Sequence, residues 1–343
     1  MSGCPYWNNC EVSALRLGIK WIVFSIIMVI AVYVLLINDK GYFMKTSYKT
    51  PHIIVVLKTI DLKIEFWKTV RDGIEVARKE FDTQVEIKGA QSEFDVAGQI
   101  QILEQAILTK PDAIVLAASD YKAIIPIAEK IREKGISLVI IDSGIDSDIA
   151  NSFIATDNFA AGQKMGEILS KLVDPSKRIA IVSHVQGSST AILREQGARS
   201  GLSSNFSSTI EGPYFSNGSL ERAYEITKKL LKDQPDIGGI AGLNEISTLG
   251  AAQAIKELGL EGQVKLVGFD GSRDEIKLIE EGVIQAVVIQ KPFNMGYLGI
   301  KTAFQALNGQ KVEKIIDTGA QLINRENMYS IENQKLLFPV VDP

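Results

Sequence analysis

Four polar residues, Asp120, Asp142, Asn244 and Asp270, each close a short apolar run of the kind that forms a buried strand, in the segments AIVLAASD, LVIID, IAGLN and KLVGFD. Each planar carboxylate or carboxamide can engage two neighbouring hydroxyls. A buried polar group left unpaired costs about 1–3 kcal/mol, so such a set suits a ligand rich in hydroxyl groups. The apolar faces of such a ligand need aromatic rings. Phe66 and Trp67 stand shortly after the first apolar run, and Tyr214 and Phe215 follow a later β-like stretch. Asp and Asn after a strand also cap helices and shape turns, as Asp157 in ATDNFAAG is expected to do. It is the recurrence of four in matching positions that points to a site.

Other chemistries lack their parts. The only cysteines, Cys4 and Cys10, precede the whole body of the chain, which therefore has no disulfide, thiol nucleophile or cysteine metal site. The two histidines, His52 and His184, read as ordinary structural residues. No GxGxxG, GxxxxGK[ST] or GxSxG motif is present, so dinucleotide, P-loop and hydrolase machinery is excluded. With 37 Lys and Arg against 41 Asp and Glu, the net charge is −4 and no basic patch exists for a phosphate backbone. A polar cleft with neither nucleophile nor metal implies binding, without a cofactor and without nucleic acid.

The elements that must position these residues follow from the hydrophobic pattern. Apolar runs at 53–57, 113–117, 138–141, 179–183, 237–242, 265–269 and 286–289 alternate with longer amphipathic stretches. Continuous runs of that length between helical patterns predict buried parallel strands covered on both faces, an α/β architecture. An internal repeat divides it. Pro111-Asp112 opens a strand, a polar pair, a helix ending at Gly135 and a strand closing on Asp142; Pro235-Asp236 opens the same order, with Gly259 and Asp270. Two similar doubly wound lobes follow, with ligands expected beyond the carboxyl ends of their strands. Facing lobes make one cleft.

Residues 21–37, WIVFSIIMVIAVYVLLI, carry no charge, and extension to Leu17 reaches the roughly 20 residues needed to cross a bilayer. No small-x-small cleavage site follows the run, and both cysteines precede it, which disfavours a secretory signal and a lipoprotein signal. The pattern predicts an uncleaved single-pass transmembrane anchor at 17–38. A short cytoplasmic N-terminus at 1–16 precedes it, a linker at 39–51 follows it, and the body is placed outside the cytoplasm.

From 51 onwards the sequence resembles the type I periplasmic sugar-binding proteins of the ribose, xylose and galactose group. The motifs that carry this are FWKTVRDGIE at 66, KPDAIVLAASD at 110, LVIIDSG at 138, IATDNFAAGQ at 154, ILREQGARSGL at 192, IAGLNE at 240, KLVGFDGSRDEI at 265 and VVIQKPFNMG at 287. The resemblance implies two Rossmann-like lobes, 52–156 with 291–317 and 157–290 with 318–343, hinged near Thr156-Asp157, Gln290-Pro292 and Asp317-Gly319. It implies that Phe66 and Trp67 cover a sugar ring, that Asp142 and Asp270 accept from hydroxyls, and that Arg194 and Asn244 donate or bridge. Gln290 or Lys291 would enter from the hinge, and Tyr214 or Phe215 would close the other face. Where many relatives carry Arg after the first-lobe aspartate this chain has Ser143, which alters the hydroxyl pattern read. The segment DLKIEFWKTVRD at 61–72 is similar to the xylose-binding branch, and LREQG is similar to the ribose branch. With an anchor, the chain resembles membrane-anchored xylose-type proteins that partner a sensor histidine kinase; the alternative is the receptor of a sugar ABC permease. A monosaccharide, with a pentose preferred, is the expected ligand.

Overall fold

In the computed structural model of the chain, residues 21, 24–33, 50–202, 206 and 210–337 are described. The chain divides into two units, Met1–Lys49 and Thr50–Pro343. In the first, Trp21 and residues 24–33 are helical. No helix among the described residues is long and apolar enough to cross a membrane. The remainder of the expected anchor at 17–38, the stretch 1–16 and most of the linker at 39–51 lie outside the described residues.

The second unit is an α/β body. Its first part runs β1 (His52–Leu57), α1 (Glu65–Glu80), β2 (Gln84–Gly89), α2 (Val96–Leu108), β3 (Ala113–Leu116), α3 (Ile125–Glu133), β4 (Ser137–Ile141) and β5 (Ser152–Ala155). The next part runs α4 (Asn158–Leu172), β6 (Arg178–Ser183), α5 (Ser189–Gly201), β7 (Ile210–Phe215), α6 (Leu220–Asp233) and β8 (Ile237–Gly242). It continues with α7 (Glu245–Glu257), β9 (Lys265–Phe269), α8 (Arg273–Glu280) and β10 (Ile284–Ile289). The chain ends with α9 (Pro292–Leu307), β11 (Ile315–Asp317), β12 (Gln321–Asn324) and α10 (Ile331–Leu337).

The strands form two six-stranded sheets of matching order, β11-β5-β4-β3-β1-β2 and β12-β10-β9-β8-β6-β7. Every pairing is parallel except that of β10 with β12, which is antiparallel. Each sheet is covered on both faces, and β1 shows why its run is continuously apolar. Ile53, Val55 and Leu57 enter one core while Ile54 and Val56 enter another, all fully buried. In the second sheet Ile179 and Ile181 of β6 face one core, and Ala180 and Val182 face the other. The seven runs legible in the sequence are all strands. The additional strands carry weaker signals: β2 reads QVEIKG on a half-exposed edge, and β5 and β11 are only 4 and 3 residues long.

The chain passes between the sheets three times, after β5, after β10 and between β11 and β12. Asp317 ties two of these crossings together: its Oδ1 accepts from the Asp157 amide at 3.1 Å and from the Gly319 amide at 2.7 Å. Gly319 itself sits at φ +74°, a conformation open to glycine at no steric cost.

Two helix pairs hold the elements that reach the cleft. α1 packs on α9, and α4 packs on α5. Backbones approach so closely that a Cβ added at Gly162 of α4 would lie 2.3 Å from the Arg194 carbonyl oxygen, and one at Gly296 of α9 would lie 2.0 Å from that of Val70. Gly162→Ala must therefore push α5 away, and overpacking of this kind costs about 1–3 kcal/mol. The expected result is a lower melting midpoint in thermal unfolding; an unchanged midpoint would show that the pair accommodates the methyl.

Candidate functional site

The carboxyl ends of the two sheets face each other, and a small cavity lies between them. The first lobe contributes Lys58 from the end of β1, Asp142 from the end of β4, Glu93, and Ile64, Phe66 and Trp67 from the start of α1. The second contributes His184 from the end of β6, Thr190 and Arg194 from α5, Asn244 from the end of β8, Asp270 from the end of β9 and Gln290 from the end of β10.

Each lobe carries its own cation–carboxylate pair at its mouth. In the first, Lys58 Nζ lies 3.0 Å from Asp142 Oδ2, and both side chains are buried. In the second, Arg194 Nη1 lies 3.9 Å from Asp270 Oδ1. The two aspartates occupy equivalent backbone positions. Both have positive φ, +58° at Asp142 and +93° at Asp270, and each amide donates at 2.9 Å to the next strand, at Ile154 and Val288 respectively. A non-glycine residue in that region is uncommon and is held there by its surroundings. Arg194 is fixed on three further sides: Nε donates to Asn158 Oδ1 at 2.7 Å, Nη1 donates to the Leu243 carbonyl at 2.8 Å, and Cζ stands 3.8 Å over the Phe269 ring. Asp270 also accepts from Gln290 Nε2 at 2.6 Å and from the Glu245 amide at 2.9 Å.

Phe66 and Trp67 meet edge to face, with centroids 5.0 Å apart, and the Trp67 indole N–H donates to Glu93. Across the cleft, His184 Nε2 and Thr190 Oγ1 are 2.9 Å apart. Three buried polar atoms of the lining have no hydrogen-bond partner: Asp142 Oδ2, which sits beside Lys58 outside hydrogen-bond geometry, His184 Nδ1 and Gln290 Oε1. Unsatisfied buried groups of this kind are costly unless a ligand meets them.

Of the residues expected from the sequence, Phe66, Trp67, Asp142, Arg194, Asn244, Asp270 and Gln290 come together in this cavity. Tyr214, Phe215 and Lys291 do not line it. Tyr214 packs on the second lobe's core, and its hydroxyl reaches Glu211 at 3.4 Å. The Phe215 carbonyl accepts from Arg222. Lys291 belongs to a neighbouring cleft on the hinge side. Asp120 shapes the turn before α3: its Oδ1 accepts from the Lys122 and Ala123 amides. Asp157 likewise caps α4 through Ala160. Ser143 is fully buried and joins the lobes, its hydroxyl 3.3 Å from that of Ser188 and 3.2 Å from that of Ser189. Sequence reasoning missed Lys58, Glu93, His184 and Thr190. Lys58 and His184 follow β1 and β6 directly, the same strand-end signal that marked the aspartates; Glu93 and Thr190 carry no such mark.

The family profile described as periplasmic binding protein domain matches residues 53–311. The D-ribose/D-allose-binding protein of Pseudomonas aeruginosa is 28% identical over 285 residues, covering 80% of this chain and 88% of the relative. A crystal structure of a sugar transporter from Clostridium phytofermentans is 40% identical, covers 80% of this chain and 100% of that one, and superposes with a TM-score of 0.76. An ABC transporter solute-binding protein from Agrobacterium vitis, solved with bound D-fucose, is 33% identical with a TM-score of 0.81, covering 84% of this chain and 100% of that one.

Burial sets the protonation of the lining. His184 is held well below its ordinary value by burial and by the charges of Lys58 and Arg194, so it is neutral at pH 7. Burial raises the Glu93 carboxyl above its reference value of 4.5, against the pull of Lys58 and the Trp67 N–H. A carboxyl raised on folding lends its stability below 4.5 and loses it as pH climbs through the folded value. Glu93→Gln keeps an acceptor for Trp67 and cannot titrate. Its melting midpoint relative to wild type is expected to rise as pH climbs above 4.5; a constant gap would show that Glu93 is not raised.

Proposed function

The chain belongs to the periplasmic binding protein domain family, and on that premise we propose that it is an extracytoplasmic receptor that closes over a neutral monosaccharide of the ribose, allose or arabinose type. It is a binding protein and not an enzyme. The carrying observation is the cavity between the lobes, where Lys58 and Arg194 are each matched by an aspartate of their own lobe and the buried His184 Nδ1 and Gln290 Oε1 are left without a hydrogen bond beside two aromatic rings. A charged ligand would bring an unmatched charge into this enclosure, at a cost of several kcal/mol. Hydroxyl groups supply both donors and acceptors to the free atoms, and Phe66 and Trp67 offer faces to ring C–H groups. We assign the lobes as 52–156 with 291–317 and 157–290 with 318–343, moving about the crossings tied by Asp317.

We further propose that delivery of the sugar to an ABC permease is the primary role, in keeping with the similarity to the ABC transporter solute-binding protein of Agrobacterium vitis. A second reading, favoured by the charge-free run at 21–37, is a receptor tethered by that run and reporting to a membrane sensor histidine kinase, with a pentose such as D-xylose as its signal. The two differ in the state of the N-terminus. N-terminal sequencing of the native protein that begins beyond residue 37 removes the tethered reading, whereas an intact start in the membrane fraction supports it.

Calorimetric titration against D-ribose, D-allose, D-arabinose, D-xylose and D-fucose tests the site. At least one should bind tightly. Asp270→Ala removes the partner of both Arg194 and Gln290, and loss of one member of a buried charge pair costs about 2–5 kcal/mol. The affinity is therefore expected to fall by about thirtyfold or more. No heat with any sugar, or undiminished binding by Asp270→Ala, would overturn the assignment.

A further inference from the structure

α1 starts without a cap from its own stretch of chain, because its N-cap residue is Ile64, which offers no side-chain acceptor. The acceptor comes from the opposite lobe. Glu245, the first residue of α7 and 3% exposed, accepts from the Glu65 amide through Oε1 at 3.3 Å and from the Phe66 amide through Oε2 at 3.4 Å. The arrangement is mutual. Glu65 Oε2 accepts from the amide of Arg273, the first residue of α8, at 2.7 Å, while Oε1 lies 3.5 Å from Arg273 Nε. Each lobe thus places a carboxyl on a helix N-terminus of the other, where unpaired amides and the helix dipole favour an acceptor.

We propose that Glu245 and Glu65 form a reciprocal latch that exists only while the lobes are closed, with Glu245 the positioning residue that sets Phe66 against the ligand. The proposal rests on the reading of the cleft as a sugar site. Parting of the lobes returns both carboxyls and all three amides to water, so the latch opposes opening without any ligand contact.

The latch is coupled to protons. The charged groups acting on Glu245 are Asp270 and Glu65, with Glu275 of α8 sensing its charge in turn and Arg273 on the wall of the side cavity it shares. Asp61, Lys63 and Asp274 line the same side cavity. Burial and then the charge of Asp270 push the Glu245 carboxyl up to about 8, against the pull of the two amides. Hydrated in the open form, it returns toward 4.5, so closure takes up a proton between these values. Closure is strongest at the acid end and weakens as pH rises through about 8.

Titration of the full chain in detergent with D-ribose and D-allose at pH 6, 7 and 8, in buffers of differing ionisation heat, reads this directly. Wild-type affinity is expected to fall by up to about tenfold per pH unit, with uptake of up to one proton. Glu245→Gln keeps an acceptor oxygen and cannot titrate, so its affinity should be flat with pH and its proton uptake nil. Glu245→Ala should bind severalfold more weakly at pH 6. The same pH slope in Glu245→Gln, or full affinity in Glu245→Ala, overturns the latch. Hydrogen exchange at saturating D-ribose reads the latch apart from the affinity. With sugar bound, Glu65→Ala should speed exchange of the Arg273 amide by roughly tenfold at an unchanged melting midpoint, and unchanged exchange there also overturns it. Absence of any sugar binding by the wild type would instead overturn the ligand reading.

Discussion

A charge carried into a protein interior must meet its opposite there, and this constraint organises the cleft. The two lobes meet it separately: Lys58 neutralises Asp142 within the first, and Arg194 neutralises Asp270 within the second. Neither pair depends on the opposite lobe for its balance, so both stay matched when the lobes part. Pairing has a geometric consequence as well. Both aspartates are bent into positive φ at the ends of equivalent strands, which turns their carboxyls toward the gap while their amides stay bonded to the neighbouring strand.

The lobes are similar in plan and different in equipment. Their sheets run in the same order, and strand-end residues correspond: Asp142 with Asp270, and Lys58 with His184. The first lobe adds the rings of Phe66 and Trp67, while the second adds the guanidinium of Arg194, anchored by Asn158, Leu243 and Phe269. One side therefore offers faces and the other offers directed donors, a division that suits a ring with polar edges. The antiparallel β12 breaks the correspondence because the chain crosses back into the second sheet directly from β11, with no helix to reverse its direction.

Part of the contact between the lobes away from the ligand, beside the Glu245–Glu65 contacts, is made of small polar groups. Ser143 meets Ser188 and Ser189, the Gly144 amide meets the Ser189 hydroxyl, and the Tyr121 amide meets the Gly187 carbonyl. Hydrogen bonds exchanged with water have small net values, about 0.5–1.5 kcal/mol each. Each such bond adds little to closure, and a ligand governs the balance of two forms only through its difference in affinity for them. Ser143 in particular belongs to this contact rather than to the lining, and the cation beside Asp142 is Lys58, which reaches it from β1.

The sequence by itself determined the α/β class, the two-lobed repeat and the strand-end polar positions. A fully buried parallel strand needs an unbroken apolar run, and the residue that ends the run emerges at the sheet's carboxyl edge. That local rule placed Asp142, Asn244 and Asp270, and it also passes through Lys58 and His184, whose cationic and imidazole side chains gave no sign of a shared cavity. Edge strands such as β2 carry one exposed face and lose the signal. The exclusion of Tyr214, Phe215 and Lys291 from the cavity was decided by tertiary structure alone, as was the entry of Glu93. The same holds for the capping of α1 by Glu245, 180 residues away in sequence. Such contacts depend on how two separately folded lobes meet, and hydrophobic periodicity within a segment records only which face of that segment is buried.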